Sequence, residues 1–333
     1  MAGRQQVRVV VDAMGGDEDP KVVLEGIRLA LEADEDLTVV VAGDADVVVP
    51  FCEGRERADA LVTTQVIGMG EHPTEAVRTK RDSSIVRGCR IVREGAADAF
   101  FSAGSTGAIL AAGTLGVGRV RGASRAVLAS ALPGIGDHKT VLLDLGANAD
   151  CPTEMLVQFA RMGRAYAQIV LGVANPRVGL LNNGTEETKG SEATKAAHLA
   201  LLDADVNFVG NCEGRDILTG DLDVIVTDGL TGNVALKTIE GTAKFVAAKL
   251  KEGARAHVPV ALGGLLVRPT FSNVASQLSG DDTGGAALLG LKAPVLVGHG
   301  ATNPHAIMSG TLTAARCVRE DLCGRLAEAL AKA

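Results

Sequence analysis

The chain of 333 residues contains no tryptophan, one tyrosine and seven phenylalanines, so aromatic side chains make up only 2% of it. A groove for single-stranded nucleic acid needs stacking platforms on a basic lining. With so few rings and a formal net charge of -7, nucleic acid is excluded as a partner, and any anionic substrate must meet a local basic site. The core has to be built from Val, Leu, Ile and Ala, within a hydrophobic share of 47%. Cysteine is sparse too. Cys52, Cys89, Cys151, Cys212, Cys317 and Cys323 stand apart with no CxxC pair, which argues against a zinc site or a disulfide framework and for reduced thiols. No basic segment with an apolar core opens the chain, so a cytoplasmic address is expected. The uncharged run 99–118 is long enough to span a bilayer but holds five glycines, two serines and two threonines. It reads as strand, loop and buried helix instead.

Apolar runs alternate with helical patterns from end to end. Strands are expected near 7–11, 37–41, 97–101, 126–132, 141–145, 178–181, 206–209 and 224–226. This is the signature of βαβ units, and it predicts an α/β fold: a doubly wound, mostly parallel sheet with helices on both faces. The length fits one extended α/β unit, 1–333, or two lobes. Helix starts agree: Asp19 can cap a helix with Pro20 at its first position, and Thr153 precedes an amphipathic run. A terminal helix at about 312–330 carries the stripe Leu312, Ala315, Val318, Leu322, Leu326 and Leu330, for the core or a second subunit. Segment 244–285 breaks the pattern. There a basic helix with Lys244, Lys249, Lys251 and Arg255 gives way to an apolar stretch with Pro259 and paired glycines. A loop packed on its own domain, a lid, a dimer contact and a membrane-touching tip all remain open for it.

Strand exits carry the chemistry. In open α/β sheets ligands bind outside the carboxyl ends of the strands. The first strand runs into Asp12, Gly15, Gly16 and Asp17, and the paired glycines allow close backbone approach. Later exits repeat the plan with Gly104, Ser105, Thr106 and Gly107, then Asp144 and Asn148, then Asn182 and Thr185. Asn211 and Glu213 follow one more strand, and Asp228 and Asn233 the next. Any single such turn is ordinary turn chemistry, but six on one chain favour a large cleft. Glycine-rich turns opening helices at Thr106 and Thr231 would aim free amides at an anion such as phosphate. Neither turn fits a dinucleotide fingerprint or a P-loop.

Lys189 and Lys237, each just past such a turn, can set a point charge beside that anion, although surface placement is the commoner fate of lysine. His299 stands alone at a late exit. Ser105 occupies an elbow-like position, but Ala103 stands where a GxSxG nucleophile needs glycine. Asp12, Asp17, Asp144 and Asp228 could gather magnesium only if separate loops converged, so no metal is assigned. Between Arg78 and Arg93 six basic residues face one acid, Asp82, a local charge reversal that suits an acidic partner or a plain solvated helix face equally.

These motifs resemble the phosphate acyltransferase family of bacterial phospholipid synthesis, the PlsX family. The resemblance runs through VDAMGGD at 11–17, SAGxTGA at 102–108, LLDLGAN at 142–148 and PRVGLLN at 176–182. It continues with GTEETKG at 184–190, GNxEGRD at 210–216 and VTDGLTGNVALK at 226–237. The chain departs from the family pattern at Ser105, where Asn is common, at Asn183, and across most of 252–283.

The resemblance implies a fold like the isocitrate and isopropylmalate dehydrogenases, and a homodimer associated peripherally with the inner face of the membrane. It implies acyl transfer from acyl-acyl carrier protein to inorganic phosphate, with no cofactor, and acyl phosphate passed to a membrane glycerol-3-phosphate acyltransferase. Phosphate is itself the nucleophile, and a thiol of pKa ~8.5 leaves with little acid assistance, so positioning and oxyanion stabilisation should dominate. On that basis Lys189, Lys237 and the Ser105–Gly107 turn hold phosphate and oxyanion. Asn148, Asn211, Asp228 and Asn233 orient them, with Asp12 and Asp17 shaping the wall.

Three alternatives compete. They are a phosphate acetyl- or butyryltransferase acting on coenzyme A thioesters, a metal-dependent nicotinamide dehydrogenase on the related fold, and a non-enzymatic scaffold acting through 244–285.

Overall fold

The computed structural model describes residues 6–256, 284–299 and 302–331. Its strands form one eleven-stranded sheet in the order β3-β2-β1-β4-β11-β10-β5-β6-β9-β7-β8. They are β1 Val7–Asp12, β2 Leu37–Gly43, β3 Ala58–Val62, β4 Ala99–Ser102, β5 Val127–Pro133, β6 Lys139–Leu143, β7 Arg177–Leu181, β8 Asn207–Cys212, β9 Val224–Val226, β10 Ala286–Leu289 and β11 Val295–Val297. One parallel block joins β3, β2, β1, β4 and β11, and another joins β6, β9, β7 and β8. Between them β10 and β5 pair antiparallel on both sides, so the two blocks run in opposite directions. This is the expected mostly parallel α/β architecture, with an antiparallel centre.

Strand side chains alternate between two apolar layers, as the period of two demands. Val9, Val11, Phe101 and Leu143 enter one core, and Val10, Phe100 and Leu142 the other. The first layer is covered by α1 Pro20–Ala33, α6 Thr153–Val170, α7 Glu192–Leu202, α9 Pro304–Arg319 and α10 Leu322–Ala331. The second is covered by α3 Pro73–Thr79, α4 Ser84–Arg93, α5 Thr106–Ala112 and α8 Gly229–Ala256. A short α2, Ala45–Cys52, follows β2, and α5 continues through a π turn at Gly113–Val117. At the start of α1, Asp19 accepts from the Lys21 amide at 2.9 Å with Pro20 in the first position, as the sequence predicts.

Three strands lay outside the expectation. The edge strand β3 exposes most of its five residues, while β10 and β11 are four and three residues long and lean on Ala and Leu as much as on Val. None has the long β-branched run that marks β1. The single terminal helix expected at 312–330 is two helices, α9 and α10, broken at Glu320 and Asp321, where Asp321 takes a φ of 50°. The stripe from Leu312 to Leu330 nevertheless faces the first core layer. Segment 244–285 begins inside α8, which carries the basic residues as far as its end, and 257–283 lies outside the described residues.

Candidate active site

A cleft of about 300 Å³ opens where the two blocks meet, on the sheet face covered by α5 and α8. Its floor is the alternate face of β5, Leu128, Ser130 and Leu132, with Ala286 of β10 and Val297 of β11 beside it. The opening of α5 supplies one wall through Thr106, Gly107 and Leu110, and α8 supplies the other through Asn233, Leu236 and Lys237. Leu145, Gly146, Gly298 and His299 close the ends. Five leucines give the cleft an apolar lining, and Thr106, Ser130, Asn233, Lys237 and His299 give it polar atoms. That mixture suits a ligand with a charged head and a hydrocarbon body.

Most of the amide-rich turns prove to be closed by their own carboxylates. Asp12 is fully buried and accepts from the Ser102 hydroxyl at 2.7 Å and from the Met14 amide at 2.9 Å. Ser102 Oγ in turn accepts from the Gly104 amide at 3.0 Å, so Asp12 latches the first turn to the second. Burial pushes the Asp12 carboxyl above its usual range, against the hydrogen bonds from Ser84 and Ser102 that lower it. Gly15 belongs to the same latch, because a Cβ there would lie 2.6 Å from Asp12 Oδ2. Gly16 holds a φ of 105° and Asp17 is exposed, both away from the cleft lining.

Asp144 likewise points inward. It accepts from the amides of Leu128, Gly146 and Ala147 and, at 2.7 and 2.8 Å, from the amide and side chain of Asn148. Burial raises its carboxyl pKa in spite of these donors. Asn148 spends its side chain on Asp144 and on the Ala126 carbonyl, which makes it a brace for the turn.

The Thr231 turn offers an anion fewer free amides than expected, because Asp228 takes those of Thr231 and Gly232. Asp228 accepts from the Thr231 amide and hydroxyl, both at 2.8 Å, and its carbonyl accepts from Gly232. A carboxylate positioned to cap a helix takes the donors an anion would need, and its charge repels that anion. Asp228 is therefore the cap of α8. The α5 opening differs: Ser105 makes no capping bond, and the Thr106 and Gly107 amides have no acceptor among the described residues. Ser105 itself is buried beside the turn.

Of the remaining candidates, Asn233 lies over Gly146 in the cleft, and Lys237 extends from α8 to pair with Glu240 at 2.9 Å. Lys189 is exposed on the β7–α7 turn, outside the cleft lining and without an ion pair among the described residues. That turn follows β7, two strand positions from β6, or about 10 Å. Asn182 holds the turn shut through the Lys189 carbonyl at 3.1 Å, and Thr185 is exposed on it. Asn211 ties it down through the Glu186 carbonyl at 2.9 Å while meeting buried His198 Nδ1 at 2.9 Å. Glu213 pairs with Arg215 and opens a 3-10 turn, Gly214–Leu218.

The floor residue Ser130 was not anticipated. Its only sequence signal is one hydroxyl inside the apolar run 126–132. Among the described residues Asp12, Asp17, Asp144 and Asp228 do not converge into a metal-ligating group.

Comparison with known proteins agrees with this architecture. A family model described as fatty acid synthesis protein matches residues 7–325. A phosphate acyltransferase of Limosilactobacillus reuteri (strain DSM 20016) is 47% identical over 307 residues, covering 90% of each chain. Among solved structures, a phosphotransacetylase from Streptococcus pyogenes superposes with a TM-score of 0.60 at 18% identity, covering 95% of both chains. A 4-hydroxythreonine-4-phosphate dehydrogenase fold from Salmonella typhimurium superposes at 0.51, with 14% identity over 94% of this chain and 99% of that one. The two structures show the shared fold. The family match and the sequence identity show that the chain belongs to the phosphate acyltransferase family of fatty acid synthesis proteins.

Proposed function

We propose that the cleft transfers an acyl group from the thioester of an acyl carrier protein to inorganic phosphate, releasing acyl phosphate and the carrier thiol. The observation that carries this reading is the make-up of one cavity: the uncapped α5 opening and Lys237 as anion-binding groups on opposite walls, over a leucine floor. Phosphate rests against Lys237 and Asn233. The acyl chain lies along Leu128, Leu132 and Leu236, and the thioester carbonyl is directed at the Thr106 and Gly107 amides. A phosphate oxygen forms a bond to the carbonyl carbon, the oxyanion gathers charge at those amides, and the C–S bond breaks to release thiolate. No residue of the chain needs to become acylated. His299 adds a polar group at the cleft end, and Lys189 supplies positive charge on the approach from the β7–α7 turn.

The wider setting follows the family resemblance: bacterial phospholipid synthesis at the inner face of the membrane, with acyl phosphate consumed by a membrane glycerol-3-phosphate acyltransferase. A homodimer is part of the same reading. It is supported by Leu230, Val234 and Phe245, which stand 62%, 56% and 63% exposed along one face of α8. No helix among the described residues is long and apolar enough to cross a membrane.

The test incubates the purified chain with long-chain acyl-acyl carrier protein and phosphate, following free thiol and hydroxylamine-trappable acyl phosphate together. Both should appear in equal amounts and only with phosphate present. Thiol release without phosphate, or turnover confined to coenzyme A thioesters, would overturn the reading.

A further inference from the structure

We propose that the outward face of α3 and α4 is the docking surface for the protein that carries the acyl group, recognised as a body with an acidic face. This rests on the function proposed above. Helix α4 turns Ile85, Cys89 and Val92 into the core, so its opposite face carries Arg87, Arg90 and Arg93 at intervals of three. Two cations of the stretch are spent locally: Lys80 pairs with Glu71 at 2.7 Å, and Arg87 with Asp82 at 2.5 Å.

Four are not. Arg78, Arg81, Arg90 and Arg93 have no carboxylate partner among the described residues, and Arg81 reaches only the Arg78 carbonyl. The acids on these helices are Glu75 in the first turn of α3, the paired Asp82, and Glu94 beyond the end of α4. In a chain of net charge -7 this is a concentrated positive face. Such a face raises encounter rates with an acidic partner and fixes its orientation.

Its location ties it to the cleft. Pro73, the first residue of α3, packs on the cleft residue Gly107 so tightly that a Cβ there would lie 2.6 Å from Pro73 Cγ. Ile85 at the start of α4 lies under Gly104, where a Cβ would meet its Cδ1 at 3.3 Å. Arg78 and Arg90 each follow these contacts by five residues, about 8 Å along a helix axis. A body seated on the arginines therefore holds a tethered thioester at the α5 wall. An anionic membrane is the weaker occupant, because an interfacial helix presents an apolar face to the lipid and α4 buries its own.

The test measures two quantities in the full chain carrying R78E, R81E, R90E and R93E together. Affinity is read with a carrier protein whose acyl group is held by a non-transferable amide. Turnover is read with acyl-carrier protein and with a small acyl thioester, such as an N-acetylcysteamine ester. Expected are a loss of carrier affinity of about tenfold or more at low salt, a matching rise in KM for acyl-carrier protein, and small-thioester turnover within about twofold of the parent.

A double variant, R78Q with R81Q, should lie between the two and guards against misfolding of the reversal. Unchanged carrier affinity, equal loss on both thioesters, or loss of anionic-vesicle binding with carrier binding intact would overturn the docking face. A parent chain that binds the carrier through these arginines yet forms no acyl phosphate would leave the face standing and remove the proposed reaction.

Discussion

Gly232 lies so near the turn after β6 that a Cβ built on it would sit 1.9 Å from the carbonyl oxygen of Asp144. Three residues earlier on the same helix face, a Cβ on Gly229 would fall 2.5 Å from the Asn148 carbonyl oxygen, which the Gly229 amide uses as its hydrogen-bond acceptor. The first turn of α8 is thus keyed, backbone against backbone, into the loop that Asp144 and Asn148 organise. Both glycines are there to allow this approach.

Gly232→Ala should therefore be severe, since the clash is with main chain and no side chain can swing aside. A loss of about 2–3 kcal/mol is expected, together with displacement of Asn233 and Lys237 from the cleft wall. Urea unfolding gives the stability, and phosphate KM reports the displacement. A variant as stable as the parent would show that the helix and loop are not locked together.

Asp12 predicts a pH dependence with a defined sign. Its folded pKa lies above the usual carboxylate value because burial disfavours its charged form. The stability it contributes is therefore fully present below about pH 4 and lost as pH rises through the raised folded value. Asp12→Asn removes the buried charge and keeps one acceptor for the Met14 amide. The stability difference between variant and parent should move in favour of the variant across that window, by at most about 1.4 kcal/mol per pH unit. Paired urea titrations from pH 4 to 8 measure it; a difference that stays flat would mean Asp12 titrates as an ordinary carboxylate.

The long Val-rich strands and the capped start of α1 could be read directly, because period-two burial and an Asp–Pro start are local signals. The centre of the sheet could not. β10 and β11 are too short to show a period, and the antiparallel insertion of β10 between β11 and β5 is a tertiary event. The same limit applies to the site. Thr106, Gly107, Asn233, Lys237 and His299 all line the cleft, and each follows a strand exit. Asp12, Asp144 and Asp228 have the same sequence vocabulary but turn back to satisfy their own loops. Whether a carboxylate faces its own amides or a ligand depends on backbone angles that composition does not encode. Ser130 stayed hidden for the opposite reason, lying inside a strand that reads as pure core.

Lys237 is 57% exposed at its side chain and tethered to Glu240 three residues on. The Glu240 side chain is only 14% exposed, so the pair is half-buried and worth about 1 kcal/mol, a cost that a bound phosphate dianion can offset by drawing the ammonium to itself. Lys237→Met should lower kcat/KM for phosphate about a hundredfold, near 2.7 kcal/mol, with unfolding unchanged. Glu240→Gln should leave phosphate KM equal to or below that of the parent. A Lys237→Met enzyme with parental phosphate kinetics would move the anion site elsewhere, with Lys189→Met the next variant to measure.

Leu236 faces the cleft from α8 and stands one residue before Lys237, so the same helical turn offers both apolar wall and charge. If the acyl chain lies along this wall, Leu236→Ala removes contact area from hydrocarbon but none from phosphate. Burial at about 25 cal/mol per Å² makes a leucine side chain worth roughly 1.5 kcal/mol, or about a tenfold change in binding. KM for a long-chain acyl thioester should rise by that factor, while an acetyl thioester and phosphate itself are little affected. An equal effect on long and short acyl groups would mean that Leu236 supports the fold of the wall and does not touch the chain, and the acyl path would then have to run along the α5 side, past Leu110.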